Sequence, residues 1–350
     1  MTSTRVWPSA PQLRALCAWL VLDAPGRPVT HAALHGAARL SDLPLPGPPQ
    51  RTAIEALHAK ILEWGQGRAA SLLLFHDPAY PSLLREIARP PLALFVEGQI
   101  ETLQHRIVAV VGSRAASPEY VEWTRDLASD LARAGLTVAS GQARGIDAAA
   151  HRGALDAGGS TLAVLGTGTD VVYPPEHAAL QRDMQGRGCI VSEFVPGTQP
   201  AAWHFPRRNR ILAGLSQAVV VVQAEKRSGA LSTARHALAE NRDVLAVPGC
   251  VTDPRSRGTH ELLRQGAALV EGVPDVLEAL RWTPSDDVRS SGAMVVLAQL
   301  ARPRDPGTLH RTLGWDVAML QRTLAELELA GWIEHDARGR ICRAPRRRRT

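Results

Sequence analysis

An α/β fold is predicted: an extended, Rossmann-like, doubly wound parallel sheet, with a small helical N-terminal domain before it and a winged-helix domain after it. Three observations predict it. Between residues 106 and 270, apolar strands rich in Val, Ile, Leu and Ala alternate with amphipathic helices. Strands apolar throughout are buried on both faces, which is the condition of a parallel sheet covered by helices on each side. The first 67 residues instead carry helical spacing, and residues 290–344 read as three helices followed by a hairpin.

In chain order, helices are expected over 11–22, 30–40 and 50–64, with the PLPGPP run at 44–49 as a break. Trp19, Leu20, Leu57, Ile61 and Trp64 are the expected core of this N-terminal domain, 1–67. A linker strand at 72–75 leads into HDPAYPSLLREIARPPLALFVEG, whose prolines at 78, 81, 90 and 91 suit a segment laid over a larger domain. That larger domain, 68–282 with its lead-in, has strands at 107–111, 137–139, 161–165, 189–192, 218–223 and 243–247. Helices are expected between them at 119–134, 148–157, 175–186 and 231–240.

Composition narrows the partners. With 350 residues the chain is long enough for more than one core. A net charge of +6 and a pI near 9.7 favour polyanions. Cys17, Cys189, Cys250 and Cys342 are far apart and form no CxxC pair, so neither a disulfide framework nor a sequence-local zinc site is expected. Without a secretory signal or an apolar run of about 18 residues, a cytoplasmic protein with no membrane contact is expected.

In an open α/β sheet, ligands sit beyond the carboxyl ends of the strands. The polar signals fall there: Gly112-Ser113-Arg114, Ser140-Gly141 through Arg144-Gly145-Ile146-Asp147, Gly166-Thr167-Gly168-Thr169 and Ser192-Glu193-Phe194. Residues 204–235 add six Lys/Arg against one acid, Glu225. This stretch reads as a basic loop (Arg207, Arg208, Arg210), an apolar helix at 211–215, a strand, then Ser228-Gly229-Ala230 opening another helix. Such an opening exposes unpaired N–H groups and the positive helix end to an anion. Ser113 and Arg114 at a helix entrance offer a phosphate both backbone N–H and guanidinium. Phe205 beside Arg207 and Arg208 reads equally as a stacking platform for single-stranded nucleic acid or as a core residue. Asp147 is read as a helix N-cap, and His151 as a helix histidine, not Asp147's partner in a catalytic pair.

After a polar link at 283–289, helices at 293–300, 308–313 and 316–330 precede a hairpin over 333–342 with its turn at 337–339. This is the winged-helix order, and the helix from Asp316 has the place of a recognition helix. Its outward Gln321, Arg322, Glu326 and Glu328 suit a protein contact or a structural role at least as well. The basic tail, 345–350, adds sequence-independent attraction for DNA.

Together these motifs resemble the DNA-processing protein A family (DprA, also called Smf). The resemblance rests on GSR at 112–114, SGQARGIDAAAHRGAL at 140–155, LGTGTDVVYPPEH at 165–177 and SEF at 192–194. It continues through FPRRNRILAGLS at 205–216, EKRSGALSTA at 225–234 and AVPGCVTDPRSRGTHELLRQGA at 246–267, spanning residues 75–278 with HDPAYPSLL and PPLALFVEG. It implies an extended Rossmann fold that forms a homodimer, binds and protects single-stranded DNA without catalysis, and loads RecA recombinase in natural transformation. No metal or cofactor is implied. The implied DNA site is Gly112, Ser113, Arg114, Arg144, Phe205, Arg207, Arg208, Asn209 and Arg210, continued by Lys226, Arg227, Ser228 and Gly229. Gln142 departs from the family pattern, where leucine is expected. Four to six phosphate contacts would give a log-log salt slope of about −3 to −4.

The competing class is a nucleotide hydrolase that cleaves an N-glycosidic bond on a related scaffold. Its PGGxGTxxE motif has no match here, since Gly166-Thr167-Gly168-Thr169 is followed by Asp170-Val171-Val172. A dinucleotide oxidoreductase is disfavoured because Gly112-Ser113-Arg114 lacks GxGxxG spacing.

Overall fold

The computed structural model describes residues 5–22, 31–37, 39–42, 51–66, 69–282, 296, 299–300, 302–329, 333–336 and 339–343. It divides into two compact units, 1–280 and 281–350.

The first unit is built on a nine-stranded sheet. Its strands are β1 (Ala70–Leu74), β2 (Ala93–Gly98), β3 (Ile107–Val111), β4 (Thr137–Ser140), β5 (Thr161–Val164), β6 (Cys189–Ser192), β7 (Ala218–Val221), β8 (Asp243–Ala246) and β9 (Ala268–Leu269). They lie in the order β1-β2-β6-β5-β4-β3-β7-β8-β9. From β6 to β9 every pairing is parallel, and β3 to β7 are buried along their length, as continuous apolar sequence requires. The chain winds outward from β3 through β4 and β5 to β6, then returns to lay β7 on the other side of β3. That reversal opens a crevice at the carboxyl ends of β3 and β7.

The lead-in is more than a cover. Residues 93–98 form β2, which pairs antiparallel with β6, and β1 pairs antiparallel with β2. Nor is the helical N-terminus packed as a domain of its own. Helices α1 (Ala10–Leu22), α2 (His31–Gly36) and α3 (Arg51–Gly65) share one apolar core with the sheet, Trp19, Ile61 and Trp64 being buried alongside Leu72, Phe95 and Val191. Trp64 donates Nε1–H to Glu97 Oε1 at 2.8 Å and to Thr169 Oγ1 at 3.0 Å, and meets Phe95 edge-on. An indole buried with its N–H bonded into the sheet is a fixed anchor. Val6 joins the β1 edge, its carbonyl accepting from Leu72 N at 3.0 Å.

Helices α4 (Ser82–Arg85), α5 (Pro118–Arg133), α6 (Ile146–Asp156), α7 (Ala178–Arg187), α8 (His204–Leu215), α9 (Gly229–Ala239), α10 (Arg257–Arg264) and α11 (Val273–Ala279) complete the unit. His151 on α6 turns into the sheet, Nδ1 lying 2.7 Å from Thr161 Oγ1, with no tie to Asp147. Burial lowers its pKa to about 3. The unfolded chain therefore takes up a proton near pH 6.5 that the folded chain refuses, so this contribution is full above that pH and falls as pH drops toward 3. Acidification from pH 7 to pH 5 is expected to remove about 2 kcal/mol through this residue, at ~1.4 kcal/mol per pH unit below 6.5. Denaturant unfolding of His151→Gln across that range should lose this slope.

The second unit has its own core of Val296, Leu300, Leu309, Leu320, Leu327, Ile333 and Ile341. Helix Pro306–Leu313 is capped by Asp305, which accepts from Thr308 N at 2.9 Å, and ends at Gly314 in the left-handed region. Helix Val317–Leu329 follows, then antiparallel strands Ile333–His335 and Ile341–Arg343. The link at 283–289, most of the helix expected at 293–300, two residues of the hairpin turn and the basic tail lie outside the described residues. Among the described residues, no helix is long and apolar enough to cross a membrane, and no group of His, Cys, Asp and Glu is placed to hold a metal ion.

Candidate functional site

The β3/β7 crevice holds an open groove of about 760 Å³. One wall is Gly112-Ser113-Arg114, leaving β3. A Cβ at Gly112 would lie 2.6 Å from the Ile146 side chain, and Gly145, at φ +72°, would bring one 2.3 Å from the Ser113 carbonyl. Glycine at both positions lets the turns after β3 and β4 abut. The facing wall is the start of α9, where Ser228 Oγ accepts from Ala230 N at 3.2 Å and Gly229 faces open space. Residues 200–202, Phe205 and Tyr173 form the rim, and Asp147, Arg208 and Asn209 lie toward the floor.

The arginines of 204–235 divide sharply in their roles. The expected basic loop is helical: α8 begins at His204, about two turns earlier than its apolar residues indicate. At about 100° per residue, a helix sends Arg208 away from the face that Arg207 and Arg210 share. Arg208 turns inward and is 5% exposed. Its Nη1 donates to the carbonyls of Gly141, at 2.9 Å, and Val164, and its Nε to Asn209 Oδ1 at 3.2 Å. Burial lowers its pKa to about 10, against the pull of Asp147, and leaves it charged at neutral pH. Arg210 is also turned in, onto buried Glu193, which Arg207 Nε approaches at 3.2 Å from the outer side. Arg208 and Arg210 are thus turned into the protein, a correction to the basic loop expected here.

Asp147 is a second correction. The N-cap of α6 is Gly145, and Asp147 sits inside the first turn. Its Oδ2 accepts from Gly141 N at 3.1 Å and Ala143 N at 3.2 Å, closing the loop ahead of the helix. Burial raises its pKa, and the charge of Arg208 is the leading opposing influence. Asn209 is buried, Nδ2 reaching Gly229 O at 3.3 Å and so tying α8 to the α9 wall.

The exposed members are Arg114, Lys226, Arg227 and Arg144. Arg114 and Arg227 line the groove and pair with no carboxylate among the described residues. Arg114 Cζ stands 5.4 Å from the Phe205 ring centre, and Phe205 lies 5.5 Å from Tyr173. Lys226 is on the adjoining loop. Arg144 lines a smaller recess behind Tyr173 and Phe205 and is ion-paired with Glu176. The structure therefore brings Gly112, Ser113, Arg114, Phe205, Arg208, Asn209, Arg227, Ser228 and Gly229 to one groove, and leaves Arg144, Arg207, Arg210 and Lys226 off its lining. Tyr173 was missed by the sequence reading; its signal was the aromatic before Pro174-Pro175. Glu193, the counter-charge for two of the expected DNA arginines, lay unread within Ser192-Glu193-Phe194.

Comparison with known proteins places this groove in context. Residues 71–281 match the family model for DNA recombination-mediator protein A, and residues 283–337 match the DprA winged helix domain. The chain is 42% identical to protein Smf of Escherichia coli over 271 residues, covering 73% of this chain and 72% of that protein. It is 45% identical over 201 residues to DNA processing protein DprA of Streptococcus pneumoniae, covering 57% and 71%. The X-ray structure of the pneumococcal protein superposes with a TM-score of 0.60 at 36% identity, over 77% of this chain and 93% of that one. DNA processing protein A of Helicobacter pylori, whose structure was described for its single-stranded DNA binding mode, gives 0.55 at 28% identity, over 61% and 96%. With a family model matched across its sheet and a second across its C-terminal unit, the chain belongs to the DNA recombination-mediator protein A family, that of DprA and Smf.

Proposed function

We propose that this chain binds single-stranded DNA in the β3/β7 groove without acting on it chemically. In this reading it protects an incoming strand and passes it to RecA recombinase during transformation, as a cytoplasmic homodimer joined through the Rossmann-like unit. The observation that carries the proposal is the composition of the groove. A guanidinium lies against an aromatic ring, and across from them stand a capped helix start and a second guanidinium. Phosphates suit the cations and the helix end, while a base suits the Phe205 and Tyr173 rings once it is free of a duplex stack. The likeness to the Helicobacter protein supports the same choice of ligand. Asp147 holds two backbone amides, and Glu225 is an exposed rim residue.

Because Arg208 and Arg210 are committed inside, two to three cations per chain remain for phosphates. The log-log salt slope for a single strand is then about −1.4 to −2.1, shallower than the sequence alone suggests. Titration of a fluorescent oligonucleotide at several salt concentrations tests this, with duplex and nucleotide turnover measured on the same preparation. Strand-selective binding with that slope and no turnover is expected. A slope near twice that value reports two chains on one strand. Equal affinity for duplex, or cleavage of a nucleotide, overturns the proposal.

A further inference from the structure

We propose that Trp203 is a second base-stacking platform outside the groove, so that a bound strand leaves Phe205, crosses the start of α8 and lays a further base on the indole. The inference rests on the single-strand reading above. Trp203 is the N-cap residue of α8 and is 52% exposed, although tryptophan is a residue that folded chains largely bury. It is nonetheless held in place. His204 meets it edge-on at 4.1 Å and Phe194 at 6.2 Å, both of them buried, and His204 Nδ1 is fixed 3.0 Å from the Gly166 carbonyl. An aromatic surface already braced by its neighbours loses little freedom when a base settles on it.

Position supplies the path. Trp203 and Phe205 are two residues apart at a helix start, about 200° around its axis, so that one serves the groove and the other the opposite flank. The residues just before Trp203, 200–202, are the groove rim, so a strand leaving the groove there meets the indole next. On this flank Arg207, ion-paired with Glu193, stands with its Cζ 5.6 Å from the ring centre of buried Phe194, so the ring beneath the indole is fixed from both sides. An open, braced indole suits a nucleobase, with little preference among bases.

Fluorescence anisotropy with a thymidine dinucleotide and with a long oligothymidylate tests the path in Trp203→Ala, Trp203→Phe and Phe205→Ala. Trp203→Ala is expected to weaken the long strand roughly 5- to 50-fold while leaving the dinucleotide unchanged, and Trp203→Phe to restore most of the loss. The long strand alone should quench the indole component that Trp203→Phe removes. If Phe205→Ala weakens binding but Trp203→Ala does not, the platform is wrong and the single-strand reading stands. If neither change matters, that reading fails, and the platform with it. A Trp203→Ala protein that keeps its DNA affinity but loses self-association or RecA contact marks the indole as a protein interface, which also overturns the proposal.

Discussion

Arg208→Ala is expected to destabilise the α/β unit by about 3–5 kcal/mol, the usual cost of removing one member of a buried charged set. The midpoint of thermal unfolding should fall by roughly 6–20 °C. The substitution leaves Asp147 buried with its leading compensating charge removed, and takes from the Gly141 and Val164 carbonyls the donor they share. Arg208→Lys keeps the charge but cannot reproduce the planar fork that reaches both carbonyls and Asn209, so an intermediate loss is expected. Adding Asp147→Asn to Arg208→Ala should recover part of the loss, because the unpaired buried charge is then gone. Denaturant unfolding of the four proteins checks the series. A fall in DNA affinity in Arg208→Ala that tracks the loss of stability would report damage to the fold.

Arg114→Ala combined with Arg227→Ala is the converse case. Both side chains are exposed and their guanidiniums pair with no carboxylate among the described residues, so unfolding should move by about 0.5 kcal/mol at most. Single-strand affinity should nevertheless fall about 100-fold or more, at ~1.5–3 kcal/mol for each charge-assisted contact. The salt slope should flatten by about 1.4. Equilibrium binding at two salt concentrations, alongside a melting curve, separates this from the Arg208 series. Unchanged affinity with the fold intact would remove these two arginines from the interface.

The sheet was legible because buried parallel strands leave no polar alternation to misread: 189–192 is β6 residue for residue, and β3 likewise spans 107–111. The lead-in strand β2 was harder to see, since the prolines at 90 and 91 mark a break just before it and its antiparallel partners are remote in sequence. The groove's location was legible too, because glycine turns mark strand ends. The roles of its arginines were not. Charge alone does not tell whether a guanidinium points to water or to a buried carboxylate, and Glu193 lies more than a dozen residues before Arg207 and Arg210. Helix geometry hid the rest: Arg207 and Arg208 are adjacent in the chain, but one is half-buried at the flank and the other is sealed beneath Gly141. The N-terminal helices misled for a related reason. Their own apolar residues suggest a private core, yet Trp64 completes its hydrogen bonds only through Glu97 and Thr169.

The return of the chain to place β7 beside β3 has a consequence for biosynthesis. One wall of the groove, at 112–114, leaves the ribosome early, while the other, at 227–229, emerges only after β4, β5 and β6 have been made. A nascent chain carrying the first four parallel strands has an open β3 edge where β7 will lie, and only half a groove. Edges of this kind invite mispairing while they wait, and contacts so distant in sequence form slowly. The ability to hold an anion between the two walls therefore arrives as a single late event, when β7 docks and Asn209 joins α8 to the new helix.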